Sequence, residues 1–435
     1  MIAFSKKNKK PMQSRSSVQG ARTEHELLLA CAQVQVDLER AEKIKLLLRE
    51  DIEWEYLVHI ANQHCIIPLL CRNLFNIFPE AIPRDVKDEL SSYFFANAHR
   101  NLLLTAELLR VLNLFDKRGI LAIPFKGPTL AALAYGDQSL RQFSDIDILI
   151  REQFVPTARD LLISIGYRPD PRHQLDFEAH FFHPEGLCVL DLHWGISYKN
   201  INRKKDASFA IDLQSVWERA KPISFAGRKL LHFSPEDLLI IRCQDAVKEY
   251  WKDSWPQLKW ICDIAEIVRV NPEIDWEWVF EQGKDSGNQR LLFFCLSLAK
   301  NLVGVPLPTD VLRRIQTDSK ANQLTSDVMS KMLFRNVNSP NRFLDRRLGI
   351  LERHRFCVRL KERIRDRIPY HIRFCREYSR NARKAIKKKE DRELLPLPTS
   401  LSHLYYVLAF IYYLLRPIWR IRRLRPRSLK PIMKS

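Results

Sequence analysis

The stretch Ser144-Asp145-Ile146-Asp147-Ile148-Leu149-Ile150 constrains this chain more than any other. Its alternation reads as a β-strand, in which side chains two residues apart share a face. Asp145 and Asp147 are therefore expected to point the same way, with Ile146, Ile148 and Ile150 turned into a core. Two adjacent carboxylates repel each other unless a cation sits between them. Hard oxygen ligands at this spacing suit Mg²⁺, which usually takes further oxygens from substrate phosphates.

The surroundings say what kind of domain holds this strand. Gly119 to Phe125 reads as a short strand, Pro128 to Tyr135 as a short helix, and Val155 to Ile165 as a helix closed by Gly166. Phe177–Pro184 and Leu187–Trp194 read as paired strands around Pro184-Glu185-Gly186. Before and after this region the apolar spacing is helical, as in Leu57, Ile60, Ala61 and Cys65. Asn101 to Phe115, Gln257 to Val270 and Arg290 to Val303 are further predicted helices, and Ser234 is a predicted helix start. The predicted fold class is α+β, a small mixed-sheet core flanked by helical blocks. Its predicted parts are a disordered basic arm (1–20), an N-terminal helical block (21–114), the α/β unit (115–235), a second helical block (236–335) and a basic helical extension (336–435). No internal repeat is visible.

Two more pieces could serve a phosphate-bearing substrate. Lys126-Gly127-Pro128 lies between a predicted strand and helix, where glycine lets the backbone approach an anion and lysine adds a charge. In Leu190-Asp191-Leu192-His193-Trp194, Asp191 and His193 share one face and the apolar residues take the other. Asp191 would be a third carboxylate for a two-metal site. His193 is equally readable as a structural histidine or a substrate contact. His180 and His183, three apart on a strand, fall on opposite faces, which argues against zinc. Trp251, Trp255 and Trp260 read as helical core. The nine cysteines form no CxxC pair and read as reduced, buried thiols of a cytoplasmic protein.

Taken in order, Lys126-Gly127, Leu130-Ala131, Tyr135-Gly136-Asp137, Arg141, Asp145-Ile146-Asp147 and Asp191-Leu192-His193-Trp194 resemble the uncharacterised nucleotidyltransferase family of the DNA polymerase beta-like superfamily. Asp51, Trp54, Ala61 and Pro68-Leu69-Leu70 upstream fit the same family, as does Leu258-Lys259-Trp260-Ile261-Cys262-Asp263 downstream, so the resemblance covers roughly residues 24 to 300. It implies Mg²⁺-dependent transfer of an NMP group from NTP to an acceptor hydroxyl, by in-line attack at the α-phosphorus. Asp145, Asp147 and Asp191 would be the catalytic metal ligands, with two Mg²⁺ ions expected and Mn²⁺ a substitute. Lys126, Gly127, Arg141 and Ser144 would contact the triphosphate, and His193 and Tyr135 are candidate substrate or supporting contacts. The chain departs from the superfamily where Gly127 is followed by proline, which removes a backbone donor. It departs again where Gln244, Asp245 and Glu249 replace histidines common in the family's later helix.

The formal charge of +20 is not evidence about that substrate. Residues 336–435 carry 27 Lys/Arg against eight Asp/Glu, while residues 21–335 sit near −4. The excess adjoins Leu401–Leu415, which is apolar, aromatic and free of Asp, Glu, Lys and Arg. That segment fits an interfacial helix on an anionic membrane, a helix docked on the protein itself or a short spanning helix. With a membrane contact, the protein would lie at the inner face of the membrane. Two other readings stand beside the enzyme: a non-catalytic NTP- and metal-binding module, regulatory or membrane-associated, and, ranked lowest, a nucleic-acid-binding protein. The acceptor and the oligomeric state leave no mark in the sequence.

Overall fold

A computed structural model describes residues 22–174, 177–196, 212–253, 257–331, 354–364, 366–368 and 370–372. The basic arm, most of the 336–435 extension and all of 401–415 lie outside the described residues. No helix among the described residues is long and apolar enough to cross a membrane.

A five-stranded mixed sheet holds the centre. Its strands are β1 (Ala122–Pro124), β2 (Asp145–Ile150), β3 (Arg168–Gln174), β4 (Glu178–Phe182) and β5 (Val189–His193), in spatial order β1-β2-β5-β4-β3. β2 and β5 run parallel, and every other neighbouring pair is antiparallel. The predicted hairpin across Pro184-Glu185-Gly186 is the β4–β5 pair, with Glu178 opposite His193 and His180 opposite Asp191. A separate hairpin, β6 (Lys221–Phe225) with β7 (Arg228–His232), turns at Ala226-Gly227, both at positive φ.

The helices explain why both faces of the sheet are covered. Before β1 come α1 (Thr23–Ala30), α2 (Leu38–Leu47), α3 (Trp54–Gln63), α4 (Ile67–Ile77) and the 33-residue α5 (Arg84–Asp116). Within the sheet region lie α6 (Gly127–Tyr135), α7 (Val155–Ser164) and α8 (Leu213–Arg219). After it come α9 (Pro235–Asp253), α10 (Leu258–Val270), α11 (Trp276–Ser286), α12 (Gln289–Val303), α13 (Thr309–Thr317) and α14 (Ser319–Lys331). Ile146, Ile148, Ile150, Leu190 and Leu192 pack with Leu104, Leu108 and Leu112 of α5 and Leu162 of α7 in one apolar cluster. On the opposite face, Leu149 and Ile123 join a larger cluster shared by helices from both ends of the chain. The Asp145/Asp147 side of β2 is thus closed over by protein, and only Asp145 in that strand is not fully buried.

The early helices are tied to the late ones by specific bonds. The Val34 amide donates to Glu266 Oε1 at 3.2 Å, and the Leu258 amide donates to His64 Nδ1 at 3.2 Å. Ser234 caps α9 through its hydroxyl, which accepts the Asp237 amide at 3.2 Å, as its position in the sequence predicts. Trp260 is core, whereas the side chains of Trp251 and Trp255 lie outside the described residues. Cys31, Cys71, Cys188, Cys243, Cys262, Cys295 and Cys357 are buried thiols, as expected, whereas Cys65 is only half-buried.

Candidate active site

The site grows from the pairing of β2 with β5. Asp147 and Asp191 are register partners on adjacent parallel strands. Neighbouring strands lie about 4.8 Å apart, whereas residues i and i+2 of one strand are separated by about 6.6 Å. The close carboxylate pair is therefore Asp147 with Asp191 across the strands, rather than Asp145 with Asp147 along one. Asp147, Asp191 and His193 form a donor group whose ligand atoms all lie within 4.8 Å of one another. Asp145 is not in that group and sits partly exposed at the strand's first position, with Ser144 exposed before it.

One oxygen of Asp147 is saturated and the other is not. Oδ1 accepts from Lys126 Nζ at 3.1 Å and meets His193 Nε2 at 3.2 Å. Oδ2 of Asp147 and Oδ1 of Asp191 are buried without a hydrogen-bond partner. A buried carboxylate oxygen left unpaired carries a desolvation cost that a cation would remove. The donor set therefore fits a divalent ion. Burial raises the Asp147 carboxyl, but Lys126 and His193 outweigh it and hold it below the usual carboxylate range. For Asp191, burial and then the Asp147 charge both act upward, so its proton is held more tightly than usual.

That inequality gives a prediction. A carboxyl raised in the fold destabilises the folded chain once ionised, so Asp191→Asn should stabilise the cation-free protein near neutral pH. The gain is on the order of 1 kcal/mol or more. Below the ordinary aspartate value both chains are neutral at this position and the gain should vanish. Chelator-treated protein melted across pH 4 to 8 checks this.

Lys126 holds the strand-to-helix junction and does not stand free. Its ammonium also pairs with Asp245 Oδ2 of α9 at 3.2 Å. Burial works against the Lys126 charge, but Asp147 and Asp245 prevail and keep it protonated well above its usual range. Gly127 follows at φ +51°, where a Cβ would lie 2.8 Å from the Asp145 carbonyl oxygen. The glycine thus lets α6 start directly against the acidic strand. Gly127→Ala is expected to cost roughly 2 kcal/mol through left-handed strain plus that contact. A fall in the urea midpoint with an unchanged m-value would show it.

Arg141 and Tyr135, expected near the nucleotide, are both turned to Asp263 of α10. Arg141 donates from Nε at 2.7 Å and Nη2 at 2.9 Å, and the Tyr135 hydroxyl donates at 2.7 Å. Arg242 of α9 donates to the same carboxylate at 2.7 Å and to Asp245 at 2.8 Å. Asp263 is fully buried. Burial pushes its carboxyl up, yet the two guanidiniums and the phenol hold it well below the usual range. Charges therefore alternate from the site to the helical core: Asp147, Lys126, Asp245, Arg242, Asp263, Arg141.

Sequence reasoning gave no role beside this site to Arg242, Asp263, Glu178 or His180, and met Asp245 only as a departure from the family's histidines. The one readable signal was Asp263, a carboxylate inside the apolar run Trp260-Ile261-Cys262-Asp263-Ile264-Ala265, where a charge needs a partner. His180 and His183 do lie on opposite sides: His180 Nε2 is 3.6 Å from Asp191 Oδ1, while His183 faces Glu107 of α5.

The family described as uncharacterised nucleotidyltransferase matches residues 50–304. The chain belongs to that family. Its mixed sheet and flanking helices are accordingly a nucleotidyltransferase core of the polymerase beta-like superfamily, and its acidic cluster lies in that core. Among curated proteins none matches the chain. Of solved structures, the lincosamide antibiotic adenylyltransferase LnuA, bound to lincomycin, is 20% identical, with 38% of this chain and 96% of that one covered and a TM-score of 0.27. An antigenic nucleotidyltransferase-like protein from Paracoccidioides brasiliensis is 17% identical, with 54% and 94% covered and a TM-score of 0.26. ANT(2")-Ia in complex with adenylyl-2"-tobramycin is 18% identical, with 49% and 98% covered and a TM-score of 0.24.

Proposed function

We propose that this nucleotidyltransferase moves a nucleoside monophosphate group from an NTP to an acceptor hydroxyl, with divalent cations at the Asp147–Asp191 rung. The observation that carries this reading is the pair of facing carboxylates, each with a buried oxygen that accepts no hydrogen bond. Asp147 and Asp191 would hold the cation, with Asp145 at the strand's open end available to a second. When bound, Mg²⁺ there supplies charge neutralisation for the triphosphate and the departing pyrophosphate.

The chain's own residues provide the rest. Lys126 sets a fixed positive charge beside Asp147, and the first turn of α6 adds the partial charge of a helix N-terminus. The acceptor oxygen bonds to the α-phosphorus as the bond from that phosphorus to the β-bridging oxygen breaks. Pyrophosphate leaves with that electron pair, and the hydroxyl proton passes to the Asp191 carboxylate.

Purified protein incubated with labelled NTPs, Mg²⁺ and a cell extract should yield a labelled product that Asp147→Ala does not form. Tight cation–NTP binding by calorimetry with no product under any NTP would replace this reading with the binding module. Under this proposal the protein works in the cytoplasm, and residues 401–435 bring it to an anionic membrane surface. Co-sedimentation of the full chain with anionic but not neutral vesicles tests that part.

A further inference from the structure

We infer that His193 is a nitrogen ligand of the cation held by Asp147 and Asp191, fixed for that role by Glu178, and that the site prefers a first-row transition ion such as Mn²⁺ to Mg²⁺. The inference rests on the reading of the rung as a cation site and concerns which cation it takes.

The placement follows from strand geometry. His193 lies two residues beyond Asp191 on β5 and so shares its face. The parallel register brings its Nε2 to 3.2 Å from Asp147 Oδ1, inside the donor group of three. Its other nitrogen, Nδ1, is 3.4 Å from Glu178 Oε2, because β4 sets Glu178 directly opposite His193. With Glu178 accepting the Nδ1 proton, a cation that displaces the Nε2 proton from its contact with Asp147 meets a lone pair on the nitrogen that faces the two aspartates. Phe125 packs edge-on against the imidazole, with ring centroids 5.2 Å apart, and limits its rotation. Glu178 and His193 are both buried. A structural histidine would need one partner; this one is oriented by one carboxylate toward two others.

The donor set then decides the ion. Mg²⁺ takes oxygen ligands and gives up water reluctantly. Imidazole nitrogen suits Fe²⁺, Ni²⁺ and Zn²⁺ best, and affinity for a mixed nitrogen and carboxylate set rises along the first row from Mn²⁺, its weakest member and the one used here as a probe. Glu178 acts through His193 and is a positioning residue.

The test uses the full chain stripped with chelator and titrated separately with MnCl₂ and MgCl₂. Mn²⁺ should bind measurably tighter than Mg²⁺. Pulsed electron paramagnetic resonance of the Mn²⁺-loaded protein should show a nitrogen coupling that changes when the histidines carry ¹⁵N. His193→Gln should abolish that coupling and cut Mn²⁺ affinity roughly 10–100-fold, with Mg²⁺ affinity nearly unchanged. Glu178→Gln should lower Mn²⁺ affinity in the same direction, and His180→Gln should keep the coupling. If His193→Gln does not fold, the labelled wild-type spectrum together with that of His180→Gln decides: a coupling present in both supports His193. Mn²⁺ bound without nitrogen coupling, or a coupling lost only in His180→Gln, overturns the inference and leaves nucleotide transfer standing. No binding of either ion, together with no transfer, overturns both.

Discussion

Asp147→Asn protein is expected to fold and to transfer almost nothing. The substitution keeps an oxygen for Lys126 and His193 but removes the charge that the cation needs. Several kcal/mol of charge stabilisation would go with it, a loss of roughly a thousandfold or more in rate. Stability should fall only modestly, since Asp245 still faces Lys126. A second readout separates the effect from misfolding: divalent ions should raise the melting temperature of the wild type and leave that of the variant unmoved. A variant that kept near-wild-type transfer would remove Asp147 from the chemistry.

The largest stability effect is expected at Asp263. Replacing it by Asn leaves two buried guanidiniums, Arg141 and Arg242, short of their common counter-charge. Breaking a buried pair in this way costs about 3–5 kcal/mol. The pH dependence has a definite sign. Because the folded-state carboxyl sits below the ordinary range, its contribution is complete above about pH 4 and is lost as acid titrates it. The stability gap between wild type and Asp263→Asn, measured in urea, should therefore close as pH falls. A gap that stayed constant to low pH would show that the carboxylate's charge is not what braces the arginines.

What could be read in advance was local. β2 announces itself by alternation, the β4–β5 hairpin by its Pro-Glu-Gly turn, and α6 by a proline in its first turn. β3 escaped because Arg168-Pro169-Asp170-Pro171-Arg172 looks like loop; it is an edge strand with a register shift, where proline is tolerated. α5 was legible as a separate helix only from Asn101 onward; its earlier part, from Arg84, fell within the stretch read as helical but had no bounds of its own. The Lys-Gly, Asp-x-Asp and Asp-x-His elements were each visible. That Asp147 would face Asp191 more closely than Asp145 was not, because parallel pairing joins strands separated by about forty residues of intervening chain. Asp245 and Asp263 are contributed by helices whose approach to the sheet no local pattern encodes.

The Asp263 hub also bears on how such a protein can change over evolutionary time. Two of its donors, Tyr135 and Arg141, come from the sheet region, while the acceptor lies on α10. Lys126, likewise in the sheet region, depends on α9 for its second carboxylate. The sheet is thus not an interchangeable cassette: a recombination crossover placed after β7 would strand an arginine and a tyrosine in the interior of the recipient. Exchange between relatives should succeed only when α9 and α10 travel with the strands, so that these segments are inherited together as one block.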